Sequence, residues 1–113
     1  MARKIWNVVY HDLKDDGTTS FSTKGKALKH AVEEIEDAIG MSLDRSYLDH
    51  DKEDLREVGR TRHGDPKYYL EFVPKMIRAL EKKQYEKVVE LFAKFNAEST
   101  GWTYIEVEES LVA

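Results

Sequence analysis

Two short basic stretches contain the residue types that bind anions. Residues 23–26 (TKGK) open a predicted helix, whose free backbone amides, with a glycine and two lysines, suit a bound phosphate. Residues 59–64 (GRTRHG) form a predicted loop bounded by glycines, and arginine binds phosphate through two parallel hydrogen bonds. If the fold brings the two stretches together, they predict a site for a nucleotide or another phosphate-bearing ligand. Its residues are Lys24, Lys26, Arg60, Arg62, His63 and Lys67.

The same basic residues also have a purely structural interpretation. Lys24 and Lys26 can point to solvent or to acidic side chains, and the arginines can pair with Glu53, Asp54 and Glu57. The glycines that precede the lysine in a P-loop are missing, so the resemblance to a phosphate loop ends at the helix start. The sequence leaves both interpretations open.

Acidic side chains dominate residues 31–57, which contain ten acidic and three basic groups and therefore carry a net charge of −7. Such a field attracts a basic surface and raises the association rate, whereas affinity also requires apolar anchors. The segment contains such anchors in its irregular part. We therefore predict that a protein partner with a basic or nucleic-acid-binding surface contacts this segment. The predicted contact residues are Met41, Tyr47, Leu48, Glu53, Asp54 and Glu57.

Histidine beside acidic residues is the remaining pattern with chemical potential. His11 and Asp12 are adjacent near a strand end, but general acid–base catalysis needs groups that converge in a pocket. Asp49, His50 and Asp51 are candidate metal ligands, yet zinc sites use three or four ligands and this cluster has one histidine and no cysteine. The sequence has no nucleophile elbow and no Walker loop. We therefore expect no metal, no cofactor and no catalysis.

The composition suits one domain over residues 1–113. Charged residues make up 35%, above the roughly 25% of ordinary globular domains, so a small core carries a highly charged surface. No apolar run approaches the roughly 20 residues of a membrane span, and the first residues lack signal-peptide features. We expect a cytoplasmic protein. Direct binding to duplex DNA is disfavoured by the sequence pI of about 5.6. The oligomeric state is open.

The N-terminal third predicts a hairpin followed by a helix. Residues 5–10 are β-branched and aromatic and predict a strand, and residues 14–17 contain an Asp-Gly turn signal before a returning strand over 18–21. Ser22 or Thr23 caps the next helix, which Gly40 ends. Beyond it, a short helix from Asp51 is predicted to stop at Gly59.

Residues 65–96 form the predicted scaffold, two amphipathic helices joined by a turn at residues 82–84. Pro74 disfavours helix in the residue before it, which leaves residues 66–73 open between helix and strand. Near the C-terminus, Ile105 and Val107 alternate with acidic residues and predict a half-buried strand. Because a lone hairpin is marginally stable, this strand should join the N-terminal hairpin. The expected fold is α+β: a small antiparallel sheet of N- and C-terminal strands packed against several helices, including a central αα-hairpin.

Residues 85–92 (YEKVVELF) resemble one helix of a tetratricopeptide repeat. No second copy follows, and a solenoid needs about three repeats, so ordinary helix packing explains the pattern. The size, dense charge and missing active-site motifs resemble those of small phage-encoded accessory or counter-host proteins. The sequence thus predicts a non-catalytic protein that binds a macromolecular partner and modulates or inhibits it. The alternative is a small-ligand binder that sequesters a nucleotide or similar anion.

Overall fold

A computed structural model describes residues 3–12, 15–49, 52–63, 67–99 and 103–112. Two strands come first, five helices follow, and one strand closes the chain within these ranges. The elements are β1 (Arg3–His11), β2 (Asp16–Phe21), α1 (Lys24–Ile39), α2 (Ser46–Asp49), α3 (Lys52–His63), α4 (Lys67–Glu81), α5 (Tyr85–Glu98) and β3 (Tyr104–Val112). None of the described helices has the length and apolar character to cross a membrane.

The three strands form one antiparallel sheet in the order β2-β1-β3. The central residue Val8 pairs with Thr19 on β2 and with Val107 on β3, and its side chain is only 1% exposed because the helices cover this face. The C-terminal strand therefore joins the N-terminal hairpin, as the sequence predicts. The α+β architecture is confirmed.

Helix α1 lies across the helix-covered face of the sheet and is capped at both ends by local signals. The Thr23 Oγ1 atom accepts a hydrogen bond from the Lys26 backbone N–H at 3.3 Å, which satisfies one free amide at the helix start. At the other end, Gly40 adopts a left-handed conformation with φ of 77° and donates its N–H to the Glu36 carbonyl. Both predicted helix ends are confirmed.

Helices α4 and α5 form the predicted αα-hairpin. The connecting turn at residues 82–84 contains Lys83 with a positive φ of 58°. Phe95 is central to the packing between the helices: its ring lies 5.3 Å from Tyr69, 6.0 Å from Phe72 and 6.0 Å from Phe92, measured between centroids. Such aromatic contacts add to area burial and make this pair the centre of the core.

Two local predictions in the middle of the chain are resolved by burial. Residues 67–81 form one helix through Pro74, although an internal proline removes a backbone hydrogen bond. A continuous helix buries Tyr69, Phe72 and Val73 in the core, which offsets that local cost. Gly59 does not end α3, so the predicted stop and the predicted loop over residues 59–63 are wrong. Gly59 lacks the positive φ of Gly40 and is buried inside the helix.

The β1–β2 connection also differs from its predicted position. Asp16 and Gly17 belong to β2 and pair with His11 and Tyr10, so the Asp-Gly pair lies inside the strand rather than in the turn. The Asp12 carboxylate instead stabilises the connection by accepting the Asp15 backbone N–H at 2.6 Å.

Candidate functional site

An open apolar groove runs between α5 and β3. It has a volume of about 710 Å³, within the range of roughly 300–1,000 Å³ that ligand sites occupy. The described residues that line it are Val89, Glu90, Phe92, Ala93, Asn96, Ala97, Thr103, Tyr104, Ile105 and Glu106. Its charged lining residues are both acidic. We call this feature the α5–β3 groove.

The groove exists because α5 has two different apolar faces. Val88, Phe92 and Phe95 are buried in the core. A second row of apolar residues at four-residue spacing, Val89, Ala93 and Ala97, begins half-buried and becomes exposed. The two alanines have side chains too small to fill the space beside β3. Helix α5 therefore presents an apolar surface next to the edge of the sheet.

Strand β3 borders the groove with an unpaired backbone edge. In the described sheet it pairs with β1 on one side, so alternate N–H and C=O groups on the other side are open to pairing. Among the described residues, the exposed large hydrophobic side chains are Tyr104 at 47% and Leu111 at 66%, and both belong to β3. An exposed edge with apolar side chains is the kind of surface that accepts a further strand.

A second cavity of about 330 Å³ adjoins the groove and shares Val89, Glu90 and Glu106 with it. Across the two cavities the charged lining residues are four glutamates and one lysine: Glu86, Glu90, Glu106, Glu109 and Lys24. Lys24 forms an ion pair with Glu86, and Lys4 Nζ lies 3.3 Å from Glu109 Oε1. Glu90 and Glu106 have no ion-pair partner among the described residues.

The pKa of Tyr104 responds to the negative charge at the mouth of the groove. Its hydroxyl donates a hydrogen bond to the Glu106 carboxylate, and this bond raises the pKa of the phenol. Partial burial and the charges of Glu106 and Glu108 raise this pKa further, because all of them disfavour the phenolate. The neutral Tyr104 hydroxyl and the Glu106 carboxylate, on the face of β3 that points away from the helices, form a polar border beside the apolar floor.

Lys24 and Lys67, two residues of the predicted anion site, lie at opposite ends of α1. Lys24 at the start of this helix pairs with Glu86, and Lys26 is exposed. At its other end, the Ile39 carbonyl accepts the Tyr69 hydroxyl at 2.6 Å, which places the start of α4 there. Sixteen helical residues span about 24 Å, so Lys67 lies far from Lys24.

The remaining predicted anion ligands belong to α3 and α4. Arg60 is exposed on α3, which packs against α4, and Lys67 Nζ lies 5.5 Å from the centroid of the Tyr68 ring. The side chains of Arg62 and His63 lie outside the described part of the structure. The described residues therefore separate Lys24 from Lys67 by the length of α1.

The predicted partner-binding residues of the acidic segment are divided between core and surface. Met41 is only 7% exposed, because the turn at Gly40 returns the chain to the core, so its prediction as an exposed anchor is wrong. Tyr47 and Leu48 are half-buried and line a cleft of about 420 Å³ beside α4. Glu53 Oε1 accepts a hydrogen bond from Arg56 Nη1 at 2.5 Å.

Glu57 is exposed on α3, and the Asp54 side chain lies outside the described residues. Part of the acidic charge is thus paired within the chain. Arg45 Nη1 lies 2.6 Å from Glu81 Oε2, which joins the segment to α4. These contacts assign a structural role to some of the charge, while the partner prediction for this segment stays a prediction.

The His11–Asp12 pair is part of the β1–β2 connection. Asp12 Oδ2 accepts the Tyr10 hydroxyl at 2.5 Å, which together with burial raises the pKa of Tyr10 to about 12. Asp12 is therefore engaged in stabilising the hairpin. Of the candidate metal ligands, His50 and Asp51 lie outside the described residues, and the described ones contain no group of three or more metal-ligating side chains.

Sequence reasoning missed the α5–β3 groove. The available signal was the row Val89, Ala93 and Ala97, which is displaced from the main apolar stripe of α5 and precedes a strand with an exposed tyrosine and leucine. Comparison with known proteins adds no assignment: no protein-family model matches the chain, and neither a curated protein nor a solved structure shows significant similarity to it.

Proposed function

We propose that this chain is a non-catalytic binding protein that holds a protein partner in the α5–β3 groove and thereby modulates or inhibits that partner. The observation that supports this proposal is the groove itself, an apolar cavity of about 710 Å³ beside an unpaired strand edge. Exposed apolar surface next to polar groups is typical of interaction sites. The groove, rather than the acidic segment 31–57, is the better candidate because its apolar floor is accessible.

The mode of action follows from the kind of surface. An apolar groove beside a strand edge acts by occupying a partner's surface or by keeping a segment of the partner from other contacts. The acidic rim at Glu90 and Glu106 adds long-range attraction for a basic partner and mainly raises the association rate. Apolar contact on the α5 face then supplies affinity.

The small-ligand alternative has less support. The groove is lined by acidic side chains, which repel phosphate, and Lys24 and Lys67 of the predicted anion site lie at opposite ends of α1. A nucleotide that binds the folded state would raise the melting temperature in proportion to the logarithm of its concentration. A panel of mono-, di- and cyclic nucleotides should leave the melting temperature unchanged.

The experiment fills the groove without disturbing the core. Ala93→Trp places a large side chain at an exposed lining position, and Lys87→Trp on the same helix, outside the groove lining, is the matched control. Proteins captured by the wild-type chain from a lysate are identified, purified and titrated against all three forms.

We expect one partner to bind the wild type and Lys87→Trp equally and to bind Ala93→Trp at least about tenfold more weakly, which equals about 1.4 kcal/mol. Circular dichroism checks that each variant is folded. A partner that binds Ala93→Trp as tightly as the wild type would contradict the groove as its site. A nucleotide that raises the melting temperature would instead favour the alternative.

A further inference from the structure

We propose that the partner contributes an extended segment of alternating apolar and basic residues, which pairs with the free edge of β3 as a fourth strand. This inference rests on the proposed function and names the chemistry of what enters the groove. Strand addition uses main-chain hydrogen bonds for affinity and alternate side chains for specificity.

The geometry of the sheet places an added strand over the groove. Neighbouring strands lie about 4.8 Å apart, so a fourth strand beside β3 lies above the groove floor. Ile105 and Val107 face the helices, and Val89, Ala93 and Ala97 continue the apolar surface beyond them. Every second side chain of the added strand would then point onto this surface. Those positions require apolar residues of moderate size.

The face of β3 that points away from the helices carries negative charge. Glu106 and Glu108 alternate with the helix-facing residues and have Val9 and Asn7 opposite them on β1, so no cation faces them across the strand pair. Glu108 has no ion-pair partner among the described residues. Opposite charges on adjacent strands stabilise pairing, whereas like charges destabilise it. The outward positions of the added strand therefore require lysine or arginine.

The glutamates of β3 also oppose a second copy of this strand as the occupant. When two copies pair antiparallel with their helices on the same side, every two-fold register that joins seven or more of the nine strand residues sets glutamate opposite glutamate. The pairs are Glu106 with Glu108, Glu108 with itself, or Glu109 with itself. Directly opposed like charges oppose pairing. A basic segment turns Glu106 and Glu108, the two glutamates on the outward face of β3, into attractive contacts.

The test uses synthetic peptides of roughly nine residues, the length of β3. The probe alternates valine with lysine and arginine. One matched control replaces its basic residues with glutamate, and a second keeps every side chain but carries N-methyl groups on the amides of one edge. Binding is measured by fluorescence anisotropy at two salt concentrations, and backbone amide shifts of the protein locate the contact.

We expect the basic probe to bind, to shift amides in β3 and α5, and to bind more weakly at higher salt. The glutamate control and the N-methyl control should each bind at least about tenfold more weakly, since they lose charge pairing and ladder hydrogen bonds respectively. Glu106→Lys combined with Glu108→Lys should reverse the preference in favour of the glutamate peptide. Thr18→Lys combined with Ser20→Lys, on β2, should leave it unchanged.

The outcomes separate the two proposals. A purified partner that is sensitive to Ala93→Trp but insensitive to the charge reversal overturns the strand inference and leaves the groove as the site. Equal binding of the N-methyl control also overturns strand pairing. A concentration-dependent dimer of the wild-type protein, abolished by Glu108→Lys, would identify a second copy as the occupant and overturn the inference. Binding of every peptide to Ala93→Trp as to the wild type contradicts both proposals.

Discussion

The two edges of the sheet are built differently. Strand β2 has six residues, and Asp16 to Ser20 are exposed and mostly polar, with Phe21 alone packed against the core. Strand β3 has nine residues, buries Ile105, and exposes Tyr104 and Leu111. Because β2 is short and polar, the first edge is protected from unwanted pairing, whereas glutamates protect the β3 edge. Protection by glutamates is selective, because they repel another acidic strand and attract a basic one.

The helices reinforce this difference. Helix α1 contacts all three strands, but α5 packs near β3 and extends an apolar face beside it. A cavity of about 500 Å³ near the β2 edge is bordered by strands alone, with no helix residue in its lining: Val9, Tyr10, His11, Asp16, Gly17, Thr18 and Tyr104. Binding capacity is therefore expected on one edge of the sheet, where an open ladder and an apolar floor coincide.

The largest expected effect tests the helix that supports the β3 edge. Phe92 is 2% exposed and contacts both the core and the groove. Phe92→Ala should lower the free energy of unfolding by about 3–5 kcal/mol, because it removes buried area and leaves a cavity. The measurement is urea denaturation. Thr19→Ala on exposed β2 is the comparison and should change stability by less than about 0.5 kcal/mol. A loss below about 1 kcal/mol for Phe92→Ala would mean that α5 is not anchored as described.

The second prediction concerns Tyr10, near the end of the central strand β1, and Tyr104, on the edge strand β3. The pKa of Tyr10, raised to about 12 beside the β1–β2 connection, and the raised pKa of Tyr104 both mean that the folded state favours the neutral phenol. Their contribution to stability is complete below pH 10 and is lost as pH rises through the folded-state values.

Absorbance titration of the phenolate checks this prediction. Asp12→Asn should return the pKa of Tyr10 toward 10 without changing the pKa of Tyr104. Glu106→Gln should lower the pKa of Tyr104 toward its ordinary value without changing the pKa of Tyr10. Unchanged titration curves in both variants would contradict the Tyr10–Asp12 and Tyr104–Glu106 hydrogen bonds.

The third prediction removes the charge that protects β3. A variant with Glu106, Glu108 and Glu109 all replaced by glutamine should self-associate, since each removed like-charge pair is worth about 0.2–1 kcal/mol. Sedimentation equilibrium should detect a dimer at concentrations where the wild type is monomeric. Replacing Thr18 and Ser20 on β2 with valine provides the matched control, which should stay monomeric. A monomeric glutamine variant would show that the edge is protected by something other than charge.

The smallest expected effect concerns the start of α1. A Cβ atom added at Gly25 meets no atom within 4 Å, so alanine fits there without strain. Gly25→Ala should stabilise the protein by about 0.4–1 kcal/mol by reducing the entropy of the unfolded chain. Thermal unfolding measures this, with Gly17→Ala on β2 as a second open position. A loss of stability at residue 25 would indicate that the glycine is needed there, as the anion-site interpretation of residues 23–26 requires.

The sequence by itself determined the features that depend on neighbouring residues. Thr23 caps α1, Gly40 ends it, and the polar residues 82–84 separate α4 from α5. Each of these signals acts through hydrogen bonds or φ angles within a few residues, so no knowledge of the rest of the fold is needed. The pairing of the terminal strands was also predictable, because a lone hairpin needs a third strand.

Only the tertiary structure decided the features that depend on which elements pack together. Pro74 lies inside α4 and Gly59 inside α3 because core burial outweighs local preference. Met41 is buried although the chain around it is irregular, and α1 separates Lys24 from Lys67. The groove itself arises because α5 packs beside β3, an arrangement set by helix-on-sheet packing, which no local pattern of residues encodes.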